Sequence, residues 1–91
     1  MKVTYYHQYS HHVAEHFGLP LAHITTRHLR VSDNHHVSGG ATKRIQNADK
    51  VWVQVDDEPI RVLKSRSGNM EFDQDEFTRM LFVAEAIEYD Q

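Results

Sequence analysis

Histidine is the residue whose chemistry stands out. Eight occur in 91 residues, all within the first 36. Imidazole ligates metals, moves protons near neutral pH and gains charge on mild acidification. In His12-Val13-Ala14-Glu15-His16 two imidazoles stand four positions apart. On a helix they share one face one turn apart, so both can reach a single zinc ion while Glu15 serves as general base. A single zinc ion held this way requires a third ligand. Without a metal the same side chains are solvated or half-buried imidazoles on a helix face. The front of the chain would then gain positive charge as pH falls through about 6.5 and hold an anionic partner more tightly.

The H-x-x-E-H string is similar to the zinc signature of the inverzincin metalloproteases. That resemblance spans five residues and implies a small zinc-dependent hydrolase with His12 and His16 as ligands and a third ligand at about the distance along the chain where Glu85 and Glu88 stand. Other catalytic chemistry is sparse. The chain has no cysteine, which excludes disulfides and thiolate metal sites. Ser38-Gly39-Gly40-Ala41-Thr42-Lys43 lacks the G-x4-G-K-[ST] spacing of a phosphate loop and reads as a flexible loop.

A second arrangement involves recognition. In the segment from Val13 to Ile24, Ala14 is small where two helices would cross. Gly18 can take the positive φ of a tight turn, Leu19 plugs the junction, and Pro20 suits the first turn of a following helix. Residues 13–31 resemble the centre of helix-turn-helix DNA-binding domains. The resemblance implies a second helix whose outer face, with Thr25, Thr26, Arg27 and Arg30, enters the major groove, and a hairpin at 50–64 as a wing. The family's pattern has a buried apolar residue three after Ile24, where this chain has Arg27.

Charge argues about partners. Net charge is −3. Residues 1–50 hold six Lys/Arg against three carboxylates, whereas residues 51–91 hold four against ten. A duplex-DNA binder usually carries a clear positive excess, so only the front half could touch phosphates. The acidic back half, with Asp56, Asp57, Glu58, Asp73, Asp75 and Glu76 beside Trp52, Phe72 or Phe82, could instead face the basic groove of a nucleic-acid-handling protein.

The elements that must position these residues follow from periodicity and punctuation. Lys2 to Tyr6 is β-branched and aromatic and predicts a strand. Ser10 caps a helix to about Phe17, which Gly18 ends. Residues 21–31 suit either a helix or a strand. Ser32 to Gly40 has the composition of a loop. Residues 50–64 predict a β-hairpin with Val51, Val53 and Val55 on one face and Trp52 and Gln54 on the other. Asp73 with Glu76 resembles a capping box before an amphipathic helix over about 75–88, with Phe77, Met80, Leu81, Ala84 and Ile87 as its inner stripe. Phe82 and Val83 widen that apolar arc beyond one face.

The expectation is one α+β domain over residues 1–91. So short a chain buries one modest core and has little left to wall a deep substrate site. No transmembrane run or signal peptide is evident, and the absence of thiols fits the cytoplasm. The preferred reading is a non-catalytic regulatory or inhibitory protein, needing no cofactor, that binds a protein partner. A homodimer is compatible with it. A DNA-binding regulator and a zinc hydrolase are the alternatives.

Overall fold

Val3, Tyr5 and His7 point to one side of an extended run and Thr4, Tyr6 and Gln8 to the other. This run is β1 (Lys2–Gln8), the middle strand of a five-stranded sheet. The computed structural model describes residues 1–28 and 47–88. β2 (Ala22–His28) and β3 (Lys50–Val55) flank β1, both antiparallel to it. β4 (Arg61–Ser65) lies outside β3, again antiparallel. β5 (Ala84–Glu88) lies outside β2 and runs parallel to it, giving the order β4-β3-β1-β2-β5. The fold is α+β.

Among the described residues, helices on both faces cover the sheet. α1 (His11–Phe17) begins where Ser10 Oγ accepts a hydrogen bond from the Val13 N–H at 3.2 Å. It ends at Gly18, which takes the left-handed conformation (φ 65°) that a Cβ would disfavour. Its buried residue, Ala14, packs with Val3, Tyr5, Tyr9, Val51 and Val53. α2 (Gln74–Val83) lies on the opposite face, where Phe77 and Met80 pack with Trp52, Ala22 and Val62. β3 is thus covered on both sides, and its first four residues are all buried. A fully buried apolar side chain of this size stabilises a fold by about 1.5–3 kcal/mol relative to exposure. Trp52 and Met80, at 0% and 1% exposure, are the largest such contributors among the described residues.

The β3–β4 hairpin forms as its alternation predicts. Asp56 adopts φ 50°, and its carboxylate accepts from the Lys2 N–H at 2.9 Å, tying the turn to the edge of β1. A bulge opposite Val51 and Trp52 leaves Leu63 without a register partner.

Three expectations change. Residues 22–28 are a strand, so the second helix implied by the helix-turn-helix resemblance does not form there. Ile24, Thr25 and Thr26 are β-branched and find ladder partners on β1 and β5. The last helix stops at Val83, and the chain enters β5 with no intervening loop. Ala and Glu favour a helix, but pairing with β2 outweighs that local preference. Finally, Trp52 is core beneath α2 and offers a partner no surface. The loop expected over 32–40 and the glycine-containing stretch at 38–43 lie outside the described residues.

Candidate functional site

An amphipathic helix on a sheet buries one stripe and hydrates the rest. α2 buries Phe77 and Met80, three positions apart, and turns the following residues outward. Leu81 is 40% exposed, Phe82 84% and Val83 47%. Three consecutive apolar side chains therefore meet solvent at the end of α2, next to edge strand β5. On the helix, Thr78 and Arg79 precede Phe82 by four and three positions and Asp75 by seven, so all share its outer face. All three are exposed.

The acidic residues do not form one patch. Asp56, Asp57 and Glu58 are exposed in the turn that follows β3. Asp73, Asp75 and Glu76 sit at the start of α2, and Glu76 pairs with Lys50, the first residue of β3. A six-residue strand separates the two groups by about 20 Å. Asp73 is the N-cap of α2, its Oδ1 accepting from the N–H groups of Asp75 at 2.9 Å and Glu76 at 3.2 Å. Asp75 is the freest of the three to meet a partner.

An open pocket of about 430 Å³ lies at the Lys50 end of the sheet, between the β4 exit and α2. Two ion pairs cross it, Lys50–Glu76 at 2.5 Å and Arg66–Asp49 at 3.1 Å. Ser65 and Ser67 hydroxyls pair at 3.0 Å nearby. Lys50 also lies 5.4 Å from the Trp52 ring centroid, an attractive cation–π distance. These polar groups largely satisfy one another, as a network closing the sheet end should. Burial lowers Lys64 on the neighbouring strand below the ordinary lysine range, with Arg66 adding to the effect and Asp49 opposing it.

The metal and DNA candidates fall in different places. His12 and His16 stack on the exposed face of α1 with ring centroids 6.4 Å apart, as helical spacing requires. Among the described residues no group of three potential ligands could hold a metal ion. Thr25 is wholly buried, while Thr26 and Arg27 are partly buried in β2. Arg30 lies outside the described residues. Thr25 and Thr26 point to opposite faces of a strand, so they cannot enter a groove together.

Sequence reasoning did not separate the histidines by burial. His7 and His23 are fully buried and directly opposed across β1 and β2, whereas His11, His12, His16 and His28 are exposed. The alternation of β1 held the signal, since His7 shares the face of Val3 and Tyr5. Burial raises Tyr5 and Tyr6 above the ordinary phenol range, with Arg27 partly opposing the effect at Tyr5.

No helix among the described residues is long and apolar enough to cross a membrane. No protein-family model, curated protein or solved structure matches the chain.

Proposed function

We propose that this domain is a non-catalytic regulatory or inhibitory protein that binds a protein partner through the outward face at the end of α2. One observation carries the reading. Phe82 is 84% exposed between two other exposed apolar residues, in a domain with a well-filled core on the other side of the same helix. A contiguous apolar surface costs solubility, and aromatic side chains commonly anchor protein interfaces. Asp75, two turns before Phe82 on the same helix face, favours a partner surface with a basic group at that distance from the pocket that takes Phe82, with Arg79 between them opposing it. A nucleic-acid-handling protein has such a surface.

The test uses the partner captured from the native host, then purified. Titration calorimetry with wild-type protein and Phe82→Ala should show binding at least about tenfold weaker for the variant, the scale of a modest interface anchor. Equal affinities would remove Phe82 from the interface and the proposal with it. Weak salt dependence, with affinity unchanged by Asp75→Asn, would discard the basic-partner component alone.

A further inference from the structure

Two imidazoles meet at the middle of the sheet. His7 of β1 and His23 of β2 are register partners, both 0% exposed, with ring centroids 4.5 Å apart and planes at 31°. The Tyr9 ring lies 5.3 Å from His23 and 6.4 Å from His7. Tyr9 Oη is 3.5 Å from His23 Nε2, and Thr25 Oγ1 is 3.5 Å from His7 Nε2. Each Nε2 thus faces a hydroxyl, which donates to the nitrogen's lone pair in one neutral tautomer and accepts from its N–H in the other.

We propose that His7 and His23 form an acid-labile latch across β1 and β2: both rings are neutral in the folded domain, and the domain opens as pH falls below the range where free imidazole takes up a proton. Removing an imidazolium from water is costly, and two imidazoliums at this separation would repel strongly in a low-dielectric interior. Where Nε2 is the acceptor, protonation would also turn it into a donor, and the one hydroxyl that faces it must then reorient. In the unfolded chain both rings charge freely near pH 6.5. The unfolded state then binds more protons, so the stability present above that pH is lost as pH falls below it.

Groups facing the pair work in both directions. Among the described residues, the phenols of Tyr5 and Tyr9 face it from β1 and the residue just beyond. Val51 of β3 is the other register neighbour of His7 and carries no charge. From β5, Glu85 is the register partner of His23 and would favour a charged ring, but it is exposed and screened by water. Arg27 lies further along the same face of β2 and disfavours a second positive charge. α1 turns Ala14 to this face of the sheet, while its His11, His12, Glu15 and His16 are exposed.

The test reads the protonation state and its consequence in the full chain. Long-range proton–nitrogen spectra of the wild-type protein should show His7 and His23 neutral in the folded form down to about pH 5.5, about a unit below free imidazole. Denaturant unfolding should show the folding equilibrium constant falling below about pH 6.5 by up to tenfold per pH unit for each of the two rings. His7→Gln and His23→Gln, which keep an acceptor for Thr25 or Tyr9, should each shallow that dependence by up to tenfold per unit. An imidazolium signal from either ring in folded protein at about pH 6 overturns the latch. So does an undiminished slope in both variants. Should the variants not fold, the wild-type spectra decide alone.

Discussion

Lys50 Nζ lies 2.5 Å from Glu76 Oε1, an ion pair joining the first residue of β3 to the first turn of α2. The lysine side chain is 9% exposed and the glutamate 35%, so the pair is asymmetric. Removing Glu76 leaves a nearly buried ammonium without its counter-charge, whereas removing Lys50 leaves a carboxylate that water can reach. Glu76→Gln should therefore cost about 1–2 kcal/mol, discounted from the cost of breaking a fully buried pair because the carboxylate is part-solvated. Lys50→Met keeps an apolar stem against Trp52 and should stay within about 1 kcal/mol of wild type. Urea midpoints of the two variants check the order, and equal losses would contradict the asymmetry.

The same pair changes how charge reversal must be read. Glu76→Lys would place two ammonium groups together and lower stability, so weaker partner binding by that variant would be ambiguous. Asp75 has no such duty and tests the acidic component cleanly. Phe82→Ser should leave the urea midpoint within about 0.5 kcal/mol of wild type, because a largely exposed side chain loses little on truncation. A large loss of stability there would mean Phe82 packs in the free protein.

The hairpin, the first strand and the capped helix at 11–17 were legible because each satisfies its local pattern and its tertiary setting at once. β5 was not. Ala84-Glu85-Ala86 is helix-forming by composition, and only its pairing with β2, some sixty residues earlier in the chain, makes it a strand. Trp52 was misplaced for a related reason. Its strand alternates correctly, but no local signal tells that α2 will cover the second face. For the candidate site, Phe82 was readable as surplus on an already complete apolar stripe. The His7–His23 opposition needed the β1–β2 register, which single-strand periodicity does not supply.

Trp52 is the chain's single tryptophan and is wholly buried. Its emission should be blue-shifted in the folded protein and move red on unfolding, which makes it the natural probe for the midpoints above. Trp52→Ala should cost about 3–5 kcal/mol, the range for emptying a large aromatic site. That is a large share of a small domain's total stability. Exposed-tryptophan emission from the native wild type would place the residue back at the surface.

Gly18 ends α1 with φ 65°, and a Cβ there would meet nothing within 4 Å. Any penalty for a side chain is therefore backbone strain alone. Gly18→Ala should cost about 1 kcal/mol, and Gly18→Asn less, because asparagine enters the left-handed region more readily. The urea midpoints should rank glycine, asparagine, alanine. Alanine equal to glycine would show that the chain leaves α1 by another conformation.

Tyr5 and Tyr6 set the alkaline limit. Tyr5 is 8% exposed, and burial raises it above the ordinary value of 10.0, with Arg27 opposing; burial likewise raises Tyr6, which meets Phe77 edge-on at 4.9 Å. A phenol held neutral in the folded state ionises first in the unfolded chain. Its contribution is complete below about pH 10 and is lost as pH rises through the folded-state value. Each such phenol should steepen the alkaline decline of the folding constant by up to tenfold per pH unit in that window. Tyrosinate absorbance should show these two phenols ionising together with unfolding, after any accessible tyrosine. Tyr5→Phe should extend the stable range to higher pH, since phenylalanine keeps the ring's packing and removes the titrating group. An unchanged alkaline midpoint in that variant would mean that Tyr5 ionises within the folded sheet.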